Sequence, residues 1–444
     1  MQQALEGRPL DPSGLGIVAD GVGQALALPA RGGQVLDGPD RALLGVARHD
    51  LTTAPARPED LPVVADRKSP QTRARIRAMI ANEAAMTDTL VLSAGHQLRD
   101  QARALADAVV ACEFGRYPHL QARYGPTGRI KSRQDAVCHF SYLADALDTN
   151  SPALFNDYIG WVKVLLQQHG VLHEDLDHHL GCMADTVRVQ MPTPVAASAV
   201  AMIEGARAAL PGMPSTTASF IDPAQPLSPL AGEYAHALLR GYRQAAGQLV
   251  FDAAERGEPV RQLYLQVFQP ALREVGRLWQ MKKISVAQEH FCSAATQIVM
   301  SQLLPREFAA EPTRGSVVVA CVSGDLHELG ARMVSDFFEM AGWRTYFCGA
   351  NTPHAAIVQA AVERAADVLA VSATMGYHLH AVQDLIREVR NDPRCARLRV
   401  MVGGHPFNVD PAVGRHVGAD GTAADAEAAV ALAGHWLSGP APGP

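Results

Sequence analysis

Apolar and polar positions alternate along this chain with two different periods. Between residues 75 and 210 large apolar side chains recur three and four apart, as in Leu154-Phe155, Tyr158, Trp161-Val162 and Leu165-Leu166, after the helix start Asn150-Ser151-Pro152. That spacing predicts helices that each bury one stripe, and so an all-helical domain. Pro211 through Pro229 (PGMPSTTASFIDPAQPLSP) interrupts the pattern and reads as a proline-rich linker. Helical spacing resumes over 230–310. From 315 to 438 it gives way to short β-branched runs near 316–322, 344–348, 367–373 and 398–402, separated by helical stretches. This alternation predicts a Rossmann-like, flavodoxin-like parallel sheet. Residues 1–74, rich in Gly, Pro and Asp, read as an irregular segment. The expected fold class is therefore multidomain, α followed by α/β.

Composition narrows the function. A chain of 444 residues needs more than one core. Its net charge of -6 and lack of a dense Lys/Arg run argue against a nucleic-acid partner. Seven cysteines without a C-x-x-C pair fit reduced thiols, and no apolar run reaches the about 20 residues that span a bilayer. A cytoplasmic protein is expected.

The run Val317-Val318-Val319-Ala320-Cys321-Val322 breaks at Ser323-Gly324 and leads into Asp325-Leu326-His327-Glu328-Leu329-Gly330. His327 thus falls at the carboxyl end of a first strand, where open α/β sheets bind ligands. Asp325, two residues earlier, can accept the second ring proton of the histidine and prepare it for a metal. Val371-Ser372-Ala373-Thr374 and Val402-Gly403-Gly404 follow later strands. The series D-x-H-x-x-G, S-x-T and G-G resembles that of cobalamin-binding domains. The resemblance implies His327 as lower cobalt ligand, Asp325 as its orienter, Ser372 and Thr374 near the nucleotide tail, and Gly330, Gly403 and Gly404 where side chains would block close approach.

Upstream, Trp279 is followed after nine residues by Glu289-His290. This arrangement resembles the four-helix cap of CarH-type adenosylcobalamin light sensors, which implies a four-helix cap at 230–310, Trp279 over the upper cofactor face, and Glu289 and His290 in the adenosyl pocket. A flat indole suits an adenosine, and a carboxylate can accept from ribose hydroxyls. Those sensors carry a histidine after the tryptophan; here the position is Gln280. An amide is a poor cobalt ligand, so after light the upper site is expected to go to His290, with water as the alternative.

The helical region is unlike the DNA-binding module of CarH-type repressors and is similar in architecture to the bilin-binding domain of photocobilins. A linear tetrapyrrole needs aromatics for its rings and cations for its propionates. The expected bilin residues are Arg116, Tyr117, Arg129, Lys131, Arg133, His139, Tyr142 and Trp161, with biliverdin as second chromophore. His173, His178 and His179 read as surface residues, while His378, His380 and His405 stand near strand ends that face the corrin.

No G-x-S-x-G, H-E-x-x-H or P-loop phrase occurs, so a non-enzymatic photoreceptor is expected. Its signal would be a light-dependent change of homo-oligomeric state, read by a downstream protein partner. The alternative is a corrinoid carrier for methyl transfer.

Overall fold

The computed structural model describes residues 93–307 and 314–438. The irregular segment 1–74 and the expected helical start at 75–92 lie outside the described residues.

Five helices form the first layer: α1 (Ala94–Arg116), α2 (His119–Asp148), α3 (Pro152–Gln168), α4 (His173–Gln190) and α5 (Thr193–Ala209). α3 shows why the sequence signal was clear. Pro152 occupies the first turn, where its missing N–H costs nothing, and Leu154, Phe155, Tyr158, Ile159, Val162, Leu165 and Leu166 line the buried stripe. The helix ends at Gly170, whose φ of 80° lets Val171 N–H reach Leu166 O at 3.1 Å. α2 is bent at Gly125-Pro126, where the proline can donate no helical hydrogen bond.

The second layer holds α6 (Ser228–Leu239), α7 (Arg243–Glu255), α8 (Val260–Leu263), α9 (Gln269–Gln280) and α10 (Val286–Leu303). A π-helical turn, Tyr264–Phe268, joins α8 to α9, so these segments make a cap of four rods. The π turn places Tyr264 so that its hydroxyl donates to Asp336 Oδ2 at 2.9 Å, in α11 (Glu328–Met340) of the third layer. The proline-rich stretch between the first two layers is pinned to α9: Ser219 Oγ and Phe220 N–H both donate to Glu274 Oε2, at 3.0 and 3.1 Å.

The third layer is a parallel sheet of β1 (Ser316–Cys321), β2 (Arg344–Phe347), β3 (Val368–Ser372), β4 (Arg399–Gly403) and β5 (Gly421–Ala423) in the order β2-β1-β3-β4-β5. It is the flavodoxin-like order, with its switch point between β1 and β3. β1 is buried throughout, as its unbroken apolar run implies. β5 was not expected: Gly421-Thr422-Ala423 has no apolar run, and only its pairing with β4 makes it a strand. Helices α12 (His354–Glu363), α13 (Leu379–Asn391), α14 (His405–Val409), α15 (Val413–His416) and α16 (Ala426–Ser438) complete the layer.

The helical layer rests on the sheet layer, and one hydrophobic core runs from Leu98 and Phe155 through to Val371 and Leu385. Polar contacts fix the orientation. Ser151 Oγ donates to Asp410 Oδ2 at 2.6 Å, and His405 Nε2 lies 2.7 Å from Asp157 Oδ2. Asp145, buried in α2, pairs with Arg99 and stands 3.0 Å from His380 Nδ1.

Burial disfavours a charged His380, yet the hydrogen bond and charge of Asp145 outweigh it and raise the ring's pKa; Arg99 opposes and Asp384 assists. The folded protein therefore keeps this proton to higher pH than the unfolded chain. The contribution is complete below the ordinary histidine value of about 6.5 and is lost as pH rises through the folded value. Thermal unfolding between pH 6 and 8 should show a steeper loss of stability in the wild type than in His380→Gln. Equal slopes would show that this contact does not titrate.

Candidate functional site

The loop after β1 carries a set of buried polar contacts at the strand ends. Asp325 is fully buried, and its Oδ1 lies 2.8 Å from His327 Nδ1 while accepting the His327 backbone N–H at 3.0 Å. Its Oδ2 accepts Thr374 N–H at 2.6 Å, which binds the β1 loop to the β3 loop across the switch point. His378 Nδ1 stands 3.7 Å from the same oxygen. Burial works against ionisation of Asp325, but His327 and His378 hold its carboxyl well below the usual carboxylate range. The ionised carboxylate in turn holds the His327 pKa above its ordinary value, against the effect of burial and with help from Glu289.

The consequence is a defined tautomer. With its Nδ1 proton engaged by Asp325, the neutral form of His327 presents Nε2 as a lone pair, and the side chain is about half exposed (48%). That is the condition of a metal-ligating imidazole. The donor chemistry of His327 fits a metal-centred group, and of the three expected glycines Gly330 leaves open space while Gly403 and Gly404 abut the backbone of Ala423 and Ala373. A Cβ on Gly404, with φ of 112°, would lie 2.1 Å from Ala373 O. Gly403 ends β4, and Ser372 ends β3 beside it in register. Four of the expected residues, Asp325, His327, Ser372 and Thr374, thus gather with Gly403 and Gly404 at the carboxyl ends of three adjacent strands.

The expected upper-face residues lie in the cap. Ser285 and Gln288 cap α10 reciprocally, and Glu289 and His290 follow in its first turn. The His290 ring is exposed (62%), with Nε2 3.5 Å from Glu289 Oε2. Trp279 lies near the end of α9, and its ring stacks on Trp161 of α3, with centroids 6.4 Å apart at 25°. Gln280 is engaged at both ends of its amide: Nε2 donates to Trp161 O at 3.0 Å, and Oε1 accepts from Thr217 Oγ1 at 3.0 Å. The residue that departs from the CarH-type pattern thus ties the cap to the helical layer.

The expected bilin residues do not converge. Arg116 pairs with Asp185 at 2.8 Å, Arg133 pairs with Asp107, and Arg129 lies over the Phe114 ring at 5.2 Å. Lys131 is half-buried on the same stretch of α2, and Tyr117 stacks on His178 at 3.9 Å. His139, Tyr142 and Trp161 lie elsewhere. His139 Nδ1 is 2.7 Å from Tyr158 Oη, Tyr142 stacks on Tyr158 at 3.6 Å and packs against Gly376, and Trp161 faces the cap. The bend at Gly125-Pro126 and the helix crossings separate what the sequence lists together.

Two further expectations need correction. His179 is not a surface residue: it is buried, with Nδ1 3.1 Å from Glu113 Oε2, and His178 is half-buried against Tyr117. The crossing of α4 over α1 encloses both. Of the strand-end histidines, His378 is buried against Asp325, while His380 and His405 bind Asp145 and Asp157 of the helical layer.

Sequence reasoning missed Asn351 and the Gln297–Glu328 pair. Asn351 Oδ1 accepts Gly324 N–H at 2.8 Å, and its own N–H donates to Asp325 O at 2.8 Å. Its φ of 46° lies in a region that asparagine tolerates better than most side chains, a fact visible only in the fold. Gln297 of α10 donates to Glu328 Oε1 at 2.5 Å, and Glu328 Oε2 accepts Ala350 N–H at 3.1 Å. This contact joins the cap to the residue after His327.

Comparison with known proteins agrees with this geometry. Two family models, each described as a B12 binding domain, match residues 230–304 and 315–431. Dimethylamine corrinoid protein 2 of Methanosarcina acetivorans is 31% identical over 172 residues, 38% of this chain and 78% of that protein. Dimethylamine corrinoid protein 3 of the same organism is 29% identical over 194 residues, 42% of this chain and 89% of the relative. The HTH-type transcriptional repressor CarA of Myxococcus xanthus is 31% identical over 135 residues, 30% of this chain and 44% of the repressor. With a cap and a parallel sheet that both match B12 binding domains, and a loop that prepares an imidazole at the switch point, the chain belongs to the B12-binding corrinoid protein family.

Proposed function

We propose that this protein is a light sensor that holds adenosylcobalamin between the cap and the sheet, with His327 as lower cobalt ligand. Adenosylcobalamin, when bound, supplies a cobalt–carbon bond that visible light can break. The observation that carries this reading is the packing around Trp279. Its indole is backed by Trp161, and Gln280 clasps the Trp161 carbonyl. A methyl carrier needs an upper face that opens to a partner enzyme, whereas here the helical first layer of the same chain braces the tryptophan that would cover it. Movement of Trp279 would reach α3 directly, which gives a route from the cofactor to the helical layer.

Roles follow for the other residues. Asp325 holds the His327 proton at Nδ1, Glu289 accepts from ribose hydroxyls, and Ser372, Thr374, Gly330, Gly403 and Gly404 line the space for the tail. Gln280 is committed to the helical layer, so His290 is the proposed upper ligand after light. Biliverdin remains the narrower part of the proposal, since Arg116 and Arg133 would have to leave Asp185 and Asp107 to meet its propionates. The second reading, a corrinoid methyl carrier, rests on the relatives named dimethylamine corrinoid proteins.

Asp325→Asn keeps the side-chain shape but loses the charge that fixes the His327 tautomer. Cobalamin affinity should fall by about 10–100-fold, and the absorption bands of histidine-ligated cobalamin should weaken; an unchanged affinity and spectrum would remove His327 from the metal. Gel filtration of the adenosylcobalamin-loaded protein should give different elution volumes in darkness and after illumination. One volume in both, together with methylcobalamin turnover by a partner methyltransferase, would favour the carrier. Absorption of protein produced with biliverdin available should add a red band if the bilin is bound, and its absence would reduce the protein to one chromophore.

A further inference from the structure

The phrase around Tyr117-Pro118-His119 contributes to a side-chain cluster that the cobalamin reading does not use. His119 opens α2, and Asp175 and His178 lie three apart on one face of α4. Each offers one donor atom, and all three atoms lie within 4.8 Å of one another. His119 Nε2 and Asp175 Oδ1 are 3.8 Å apart. The four donors around a tetrahedral zinc are about 3.4 Å from each other, given zinc–ligand distances of roughly 2.1 Å, so modest side-chain rotation would close the set.

The surroundings of the three residues are those of a prepared site. Asp175 is buried, and its Oδ2 accepts from Tyr124 Oη at 2.6 Å and from Arg123 Nη1 at 2.8 Å. Those partners fix the carboxylate with Oδ1 left toward His119. The His178 ring is held flat against Tyr117, at 3.9 Å and 13°. Its Nδ1 is buried and has no hydrogen-bond partner among the described residues. A buried ring nitrogen without a partner is costly, and a metal ion would satisfy it. The donor set of two imidazoles and one carboxylate suits a borderline dication of the zinc class, with one position left for water. A second contribution to such a site is the outer hydrogen bonding that orients a ligating carboxylate, which Arg123 and Tyr124 already provide.

We propose that His119, Asp175 and His178 form a second metal site that binds one divalent transition-metal ion, at the junction of α2 and α4 and separate from the cobalamin cavity. The ion would lock the first turn of α2 onto α4, upstream of the bend at Gly125-Pro126.

Zinc titration of the full-length, chelator-stripped protein against a chromophoric zinc indicator tests this. One equivalent should bind, and both His119→Ala and His178→Ala should weaken binding at least tenfold. His119 is half exposed, so its removal opens no cavity, and cobalamin loading of the variant reports that the fold is kept. A crystal grown with zinc should show an anomalous peak between the three residues. The assignment is overturned by an absence of zinc binding, or by undiminished binding in His119→Ala. The thiols of Cys112 and Cys182, 2.7 Å apart, are the rival ligands, and the assignment is likewise overturned if zinc is lost from a Cys112→Ser/Cys182→Ser variant but retained without His119. Loss of zinc with intact cobalamin binding, or the reverse, separates this site from the proposed cobalamin function.

Discussion

A single buried carboxylate organises the ligand-facing end of this protein. Asp325 accepts two contacts from His327 and a backbone N–H from Thr374, so one ionised group joins the loops of β1 and β3 on either side of the switch point. Burying a carboxylate costs several kcal/mol, and hydrogen bonds to a charged group return roughly 1.5–3 kcal/mol each. Three such bonds are enough to keep it ionised. Everything the site can do depends on that charge, because it sets which nitrogen of His327 faces the cavity.

From Asp325 a string of buried polar and aromatic groups continues into the helical layer. His378 stands beside Asp325, Tyr377 beside His378 at 4.2 Å, and Tyr142 meets Tyr377 edge-on at 5.2 Å. Tyr142 stacks on Tyr158, whose hydroxyl meets His139, and His139 packs against His179, which faces Glu113. Burial raises the pKa of Tyr142, Tyr158 and Tyr377 and, with His179 nearby, lowers that of His139. The helical layer is thus packed onto the cobalamin layer through the same elements that carry the site. The cap makes a second junction through Trp161, Trp279 and Gln280, and a third through Gln297 and Glu328. The three layers are therefore joined pairwise by direct polar and aromatic contacts.

The legible parts of the chain were those where the signal is local. β1, β3 and β4 are buried on both faces, so each appears as an apolar run, and the helices of the first two layers show their stripes because each buries one face. β5 was invisible, since three small residues carry no pattern and become a strand only beside β4. The D-x-H-x-x-G phrase was readable because its ligand and orienter sit two residues apart and meet through a local turn. Gln280 shows the opposite case: its identity is plain in the sequence, but its role as a clasp depends on Thr217 and Trp161, 63 and 119 residues away.

The candidate bilin residues and the histidines of α4 carry the same lesson. Composition groups Arg116, Tyr117, Arg129 and Arg133 with Tyr142 and Trp161, but the bend in α2 and the crossing of α4 send them to separate places and give the arginines carboxylate partners. His178 reads as a surface residue on its own helix and acquires His119 as a neighbour only when α2 folds back. The sequence by itself determined four strands of the sheet, the cap and the prepared histidine, because strand runs, helix stripes and a two-residue hydrogen bond are short-range facts. Tertiary structure alone decided what backs Trp279, where Gln280 points and which side chains meet His178, because those contacts join residues that only packing brings within reach.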